Sequence, residues 1–433
     1  MIATANGFDL GSLPGPDDIT RHQLDNGLVV LVRENHATPT VVMDGLLRSG
    51  SIFVPREQAG LARFSTSMLM RGTKSRDFAA LHEDIEGVGA SLRVSAGTHT
   101  TSFGFSSLAE DLGLMLTLAA DVLRHPTFPA EHVEKVRGEI LTGLERRAHD
   151  TRSMAALTFN ELTYPDGHPY GVSNSGYIDT VKAITRDQLV DFHQGHVGPR
   201  GGILVVVGAV KTNEVLALVQ ETLGEWENPA QPDPPPPPAA DRIEETRQQH
   251  VAIPGKTQSD IMLGTPGPAR SAPDFQAAHI ANSILGVFGL MGRLGDNVRE
   301  RQGLAYYSFS RLTGSLGPRP WYVSAGVSPD NVEKAIASIR DEIRRIIDEP
   351  VTADELAENK ANFKGRVPLQ LETNGGVAGA ITNMELHQLG LDYLRNYAAM
   401  IDAITIEDVQ AAARAYLDPD AYALAVAGPD GAG

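Results

Sequence analysis

The sequence predicts an α+β fold built from two homologous mixed α/β domains, each an antiparallel-rich sheet packed with helices. An internal repeat is the main reason: residues 180–189 resemble residues 400–409, and residues 202–208 resemble residues 422–428, both with an offset of 220 positions. Self-similarity at one fixed offset is typical of a duplicated structural unit. The length of 433 residues also exceeds what one core usually holds, so two domains of roughly 200 residues are expected.

A proline-rich segment at residues 228–240 separates the two copies. Such a run favours extended polyproline II geometry and behaves as a semi-rigid spacer, and a ligand for a proline-reading module is the alternative. Its position between two halves with globular composition favours the spacer. We therefore predict an N-terminal domain over residues 1–227, a linker over 228–240 and a C-terminal domain over 241–433.

Local patterns predict how the first copy begins. The Asn26-Gly27 turn signal followed by a β-branched run indicates a hairpin over residues 22–35. Residues 58–70 carry apolar side chains at helical spacing. The remaining predicted elements of this half are strands at 41–51, within 91–106 and at 202–208, and helices at 78–88, 108–123, 129–147, 186–192 and 211–225.

Composition narrows the class of protein and of partner. A content of 42% hydrophobic and 21% charged residues is that of an ordinary globular protein. The net charge of −17 argues against a nucleic-acid surface. The chain as given shows neither a targeting segment nor an apolar run long enough to span a membrane. Without cysteine it holds no disulfide or thiolate, and its compartment, periplasm or cytoplasm, stays open.

Arg299 and Tyr306 stand seven positions apart where a helix end is predicted to pass through Gly303 into a strand. A guanidinium offers five donors and a phenol one more, so the pair could hold a carbonyl oxygen or a carboxylate in fixed geometry. The alternative is structural, because an arginine at a helix C-terminus favours the helix dipole and a strand tyrosine packs. Residue types alone leave both interpretations open.

Three motifs resemble the pitrilysin and mitochondrial processing peptidase family. They are the Leu-x-Asn-Gly-Leu sequence at residues 24–28, the His-Pro-Tyr-Gly sequence at 168–171 and the Arg-Glu-x-x-Gly-Leu-Ala-Tyr sequence at 299–306. The resemblance extends from about residue 22 to residue 428. It implies that active members carry H-x-x-E-H on the first long helix, where two histidines and a distal glutamate bind zinc and the intervening glutamate is the general base.

The zinc motif is absent from the corresponding positions. The resemblance aligns the two histidines and the glutamate with Arg63, Ser67 and Thr66, and it aligns the distal glutamate with Gly143. Zinc needs imidazole, thiolate or carboxylate donors, and an arginine adds a permanent positive charge. We therefore expect no metal in this chain and zinc in a partner. The other histidine pair with helical spacing, His193 and His196, is interpreted as surface or capping residues.

The resemblance also assigns the second half of the active centre. In paired members one subunit carries zinc, and the other contributes an Arg/Tyr pair that holds the substrate backbone. This implies that Arg299 and Tyr306 bind substrate, with Tyr307 as a packing residue on the opposite strand face. The leading hypothesis is a non-catalytic, substrate-positioning subunit of a heterodimeric zinc endopeptidase acting on peptides or small unfolded proteins. The rivals are a structural scaffold, like the core subunits of the cytochrome bc complex, and a self-sufficient peptidase with unrecognised ligands.

Overall fold

The computed structural model describes residues 13–165 and 167–429, together with the backbone of two short strands near the start. The strands are β1 (Thr4–Ala5), β2 (Phe8–Asp9), β3 (Thr20–Gln23), β4 (Val29–Glu34), β5 (Thr40–Leu47), β6 (Ser91–Ala96), β7 (Thr101–Leu108), β8 (Ile203–Gly208), β9 (Arg247–Ala252), β10 (Ser259–Pro266), β11 (Ala305–Leu312), β12 (Pro320–Val327) and β13 (Ala423–Gly428).

The α-helices are α1 (Leu61–Met68), α2 (Phe78–Gly87), α3 (Leu112–Arg124), α4 (Ala130–Ala148), α5 (Thr151–Thr163), α6 (Ile178–Ala183), α7 (Arg186–His196), α8 (Thr212–Leu223), α9 (Phe275–Gly286), α10 (Phe288–Leu294), α11 (Val332–Asp348), α12 (Ala353–Gln370), α13 (Asn374–Leu386), α14 (Tyr393–Ala403) and α15 (Ile406–Tyr416). A π-helical turn covers Gly295–Arg301. Short 3₁₀ turns lie at Ser51–Phe53, Arg56–Gln58, Leu69–Arg71, Ala109–Asp111, Pro169–Gly171 and Pro329–Asn331.

The first of two compact units comprises the chain up to Thr142, Ser173–Pro235 and Arg366–Ala398. Its six-stranded sheet has the order β3-β4-β8-β5-β7-β6, and only the β4–β8 pair is parallel among the described strands. Apolar residues of α1, α2, α3, α7 and α8 form the core on one face of this sheet. Helix α13 packs on the other face, against β5 and β8, in an apolar cluster that also includes Val29 and Leu31 of β4.

The second unit comprises Gly143–Val172, Pro236–Gly365 and the chain from Ala399. Its five-stranded sheet has the order β11-β12-β10-β13-β9, and only β13 and β9 pair in parallel among its described strands. Helix α5 packs on one face of this sheet, where Phe159 meets Met262 and a row of small alanine side chains from β13. The prediction of a mixed α/β fold with two similar sheets is confirmed.

Each unit contains a helix from the other half of the sequence. Helix α5 follows α4 but packs on the second sheet, whereas α13 follows α12 but packs on the first. Helices α5 and α13 begin at Thr151 and Asn374, and α4 and α12 begin at Ala130 and Ala353, so both pairs share an offset of 223. The packing of α5 and α13, each on the sheet formed by the other half of the sequence, is therefore a feature that both copies of the repeat share. The boundaries at residues 227 and 240 stay a prediction about the two halves of the sequence.

No α-helix in the described part of the chain is both long and apolar enough to cross a lipid bilayer.

Candidate functional site

Helix α1 presents the three residues that stand where the resemblance expects zinc ligands and the base. The Arg63 guanidinium donates to the hydroxyl of Ser175 over 3.0 Å. The buried Thr66 hydroxyl accepts from the backbone N–H of Ala96 over 3.2 Å and donates to carbonyls of its own helix. The Ser67 hydroxyl donates to the Arg63 carbonyl over 2.9 Å. All three side chains therefore have structural partners, and none offers a donor that zinc prefers.

Gly143, at the fourth position, lies in α4. A Cβ atom added there would meet nothing within 4 Å, so packing does not exclude a side chain. Glycine nevertheless offers no side-chain ligand. Across residues 13–165 and 167–429, no three or more His, Asp or Glu side chains form a group that could hold a metal ion. The donor chemistry of this chain therefore does not fit zinc at these four positions.

The His193 and His196 pair has structural partners as well. The ring Nε2 of His193 lies 2.8 Å from the Leu123 carbonyl, and Nδ1 of His196 lies 3.2 Å from the Phe192 carbonyl. His193 is buried, and this burial lowers its pKa. Of the two interpretations, surface or capping, His193 fits the capping one, because its buried ring binds the carbonyl of Leu123 in the last turn of α3.

Arg299 lies in the π-helical turn, and its side chain is 38% exposed. Its nearest carboxylate is that of Glu300, 3.6 Å from Nε to Oε1. This turn packs against β11. The chain leaves it through Gly303, whose φ of 61° lies in the left-handed region that glycine adopts without strain. Single π-helical turns occur frequently at functional sites, so the local geometry agrees with a ligand-binding role for Arg299.

Tyr306 is the extra residue of a β-bulge. Ala305 pairs with Val327 and Tyr307 pairs with Gly326, which leaves Tyr306 without an opposite residue. Its side chain is 67% exposed, and its hydroxyl has no hydrogen-bond partner among the described residues. Bulges re-aim side chains and are common beside active sites. The structural alternative of ordinary strand packing therefore does not describe this side chain.

The segment that carries Arg299 is fixed by a polar network. Asn297 donates to Glu342 over 2.6 Å and accepts from Gln302 over 2.9 Å. Glu342 is 1% exposed and also accepts from Arg345. Val298, next to Arg299, is fully buried. These contacts fix the backbone on both sides of Arg299 while its guanidinium stays accessible.

A bend in α10 precedes this segment. Gly289, Met291 and Gly292 all have positive φ angles. A Cβ on Gly292 would lie 2.5 Å from the Ile284 carbonyl, and one on Gly286 would lie 2.2 Å from the Ser310 N atom. Glycine is required here by close backbone approach, which brings the end of α9 against β11.

Arg293 and Glu355 form a bidentate ion pair. Nε of Arg293 lies 2.7 Å from Oε1 of Glu355, and Nη2 lies 2.8 Å from Oε2. Burial by itself would raise the pKa of Glu355, but hydrogen bonds from Arg293 and Thr352 outweigh it and lower the pKa to about 2. The pair joins α10 to the start of α12. It therefore holds the bend that leads into the Arg299 turn.

We expect the Arg293→Gln variant to be about 1–3 kcal/mol less stable at pH 7, because a half-buried carboxylate loses its charged partner. The depressed pKa of Glu355 means that this contribution is present above the ordinary value of 4.5 and is lost as pH falls towards 2. Urea unfolding at pH 7, 4.5 and 3 should show the two proteins converging as pH falls. The control Arg344→Gln, in exposed ion pairs, should change stability little. A pH-independent difference would contradict this assignment.

Tyr307 does more than pack. Its hydroxyl donates a short hydrogen bond to Asp260, a buried carboxylate that also accepts from Thr151 over 2.5 Å and from Gln258 over 3.2 Å. Burial raises the pKa of Tyr307, and Asp260 raises it further. The Arg152 guanidinium lies 4.8 Å from the ring centroid. Tyr307 thus anchors the bulged strand beside Tyr306. In the sequence, Asp260 is marked only as an acidic residue near the start of a largely apolar strand.

Two family models match most of the chain. Residues 29–165 match the model described as insulinase, peptidase family M16, and residues 183–363 match the model described as peptidase M16 inactive domain. The two matches together cover parts of both halves of the repeat.

Relatives agree with these matches. A protein named as a zinc protease from Streptomyces coelicolor is 29% identical over 362 residues, which cover 82% of this chain and 78% of the relative. Another from Mycobacterium leprae is 26% identical over 411 residues, 95% of this chain and 92% of the relative. Human mitochondrial cytochrome b-c1 complex subunit 1 is 27% identical over 267 residues, 61% of this chain and 54% of that protein.

Solved structures share the fold. A structure described as peptidase M16 inactive domain from Pseudomonas fluorescens has a TM-score of 0.87 at 24% identity, covering 95% of this chain and 98% of that chain. A protease from Helicobacter pylori has a TM-score of 0.88 at 21% identity, covering 96% of this chain and 100% of that chain.

Proposed function

Because this chain belongs to peptidase family M16, we propose that it is the non-catalytic, substrate-positioning subunit of a heterodimeric zinc endopeptidase. Its partner is a homologous subunit that carries the zinc, and its substrates are peptides or small unfolded proteins. The observation that carries the proposal is the contrast between two sets of residues. Arg63, Thr66, Ser67 and Gly143 offer no zinc ligand, while Tyr306 projects unpaired from a bulge beside the turn that carries Arg299.

In the proposed complex, Arg299 and Tyr306 donate hydrogen bonds to a backbone carbonyl of the substrate. The guanidinium supplies a permanent charge and several donors, and the phenol supplies one directed donor. Holding the scissile bond in one orientation removes rotational freedom before the reaction, which lowers the barrier of the chemical step. The partner's zinc would supply the activated water. This chain contributes binding and orientation.

A scaffold role is the second candidate function, and the match to cytochrome b-c1 complex subunit 1 favours it. A scaffold needs no accessible Arg/Tyr pair, so loss of either side chain would leave its role intact. The fixed backbone around Arg299 and the exposed phenol of Tyr306 favour the substrate-positioning role instead.

Reconstitution tests the proposal directly. We expect this chain to show no peptidase activity alone, and we expect a zinc-bearing M16 protein from the same genome to cleave an unfolded peptide efficiently only when the two are mixed. The test measures cleavage of a fluorogenic peptide by each protein and by the mixture. Full activity of the zinc-bearing protein alone, in the absence of this chain, would favour the scaffold role.

A further inference from the structure

A groove of about 450 Å³ lies on the sheet of the first unit. One row of residues in register crosses this sheet from β4 to β6: Leu31, Val205, Asp44, Gly104 and Arg93. Leu31 and Val205 are covered by α13, and beyond them the row becomes polar. Helix α13 packs over β8 and β5 of this sheet face, and the groove lies beside the helix over β5, β7 and β6, with Gly375 of α13 in its lining.

Small side chains make this part of the sheet face concave. Gly104 is the middle of the polar row, and a Cβ there would lie 2.5 Å from the Met43 carbonyl, so no side chain fits. Serines at positions 91, 95, 102 and 106 line the rows on either side. A merely solvated sheet face usually carries β-branched or long side chains. Here the four serines and Gly104 leave a groove whose walls offer hydroxyl donors and acceptors.

Two residues of opposite charge, Asp44 and Arg93, lie at the two ends of the groove. Asp44 is half-buried, and this burial raises its pKa, although hydrogen bonds from the Thr382 side chain of α13 and from the Gly45 backbone oppose the rise. Arg93 is exposed. Neither side chain forms an ion pair with any residue in the described part of the chain. Asp44 and Arg93 are separated by Gly104 and thus by two strand spacings, roughly 10 Å.

We propose that this groove binds a short peptide with free termini, whose ammonium group pairs with Asp44 and whose carboxylate pairs with Arg93. Three extended residues span roughly 10 Å, so a tripeptide matches the separation of the two charges, whereas a single amino acid is too short. The serine hydroxyls meet the peptide backbone between the two ends. The inference concerns this chain alone and does not depend on the proposed partner.

Trialanine with free ends is the probe, measured by isothermal titration calorimetry on the full-length chain. We expect saturable binding at one site and little binding of free alanine. The Asp44→Asn and Arg93→Gln variants should each weaken trialanine binding about tenfold, as expected for loss of one charged hydrogen bond. The control Arg311→Gln, which removes an exposed strand arginine from the other sheet, should bind like the wild type. Circular dichroism verifies that each variant is folded.

End-capped ligands determine which end binds where. Acetylating the amino terminus should weaken binding about tenfold in the wild type but little further in Asp44→Asn, because that variant has already lost the contact. Amidating the carboxyl terminus should behave in the same way with Arg93→Gln. The proposal is overturned if trialanine does not bind, if both variants bind it normally, or if capping either end leaves the wild-type affinity unchanged.

Discussion

Replacing Arg299 by alanine in the assembled heterodimer is expected to lower kcat/KM for a peptide substrate about 100-fold, the size of effect seen when one preorganised donor is removed. The Tyr306→Phe variant, which loses a single neutral donor, should lose about tenfold. Both side chains are exposed, and neither anchors the fold, so thermal unfolding of the chain should stay unchanged. Steady-state kinetics and a melting curve for each variant measure the two effects.

Arg301→Ala provides the matched control. Arg301 belongs to the same π-helical turn, is more exposed than Arg299 and pairs with Asp296. Its removal should leave the kinetics close to those of the wild type. If an Arg299→Ala complex of normal stability cleaves peptides at the wild-type rate, the substrate-positioning role of Arg299 is refuted.

A fragment that ends at residue 240 is expected to be unfolded or aggregated, although it contains the whole N-terminal half of the sequence. It lacks α13, which covers Leu31 and Val205 on the first sheet. It also leaves Phe159 of α5 without the second sheet. Two apolar surfaces would thus be exposed at once, which promotes aggregation. Circular dichroism and size-exclusion chromatography of the purified fragment measure the outcome.

Co-expression with a fragment beginning at residue 241 should restore a soluble complex, because it supplies both missing surfaces. A 1–240 fragment that unfolds cooperatively by itself would show that α13 is dispensable.

In the intact chain, Ile381→Ala should reduce stability by about 2–5 kcal/mol, since Ile381 is fully buried against the first sheet.

Much of the fold follows from local patterns. The spacing of Leu61, Phe64 and Met68 predicts a helix over residues 58–70, and the structure places α1 at Leu61–Met68. The turn signal at Asn26 and Gly27 predicts the β3–β4 hairpin, which is observed. These elements are determined by short-range periodicity and turn chemistry, which a single sequence contains.

Local patterns could not predict that α5 and α13 each pack on the sheet formed by the other half of the sequence. Periodicity can indicate that a helix has an apolar face, but it does not identify the sheet that the face meets. The same limit applies to Asp260, whose partners Thr151 and Tyr307 are distant in sequence. Local context also hides the bulge at Tyr306, because the extra residue is defined by the register of β12 across from it.

At the candidate site, the sequence indicated which residues could bind a ligand better than it indicated how those residues are held in the structure. The absence of zinc donors at Arg63, Thr66, Ser67 and Gly143 is visible in the residue types alone. What the structure adds is that Arg63 and Thr66 have taken structural partners, and that the backbone around Arg299 is fixed by Asn297. The prediction that Tyr307 is a packing residue was incomplete, because the sequence does not reveal its hydrogen bond to Asp260.

The zinc content of the purified active complex tests the central claim most directly. Zinc would be counted by elemental mass spectrometry and referred to the concentration of each chain after extensive dialysis. We expect one zinc per heterodimer, lost when the zinc ligands of the partner are replaced and unchanged when Arg63, Thr66 and Ser67 are all replaced by alanine. Two zinc ions per active heterodimer, or one zinc in this chain alone together with peptidase activity, would contradict the account.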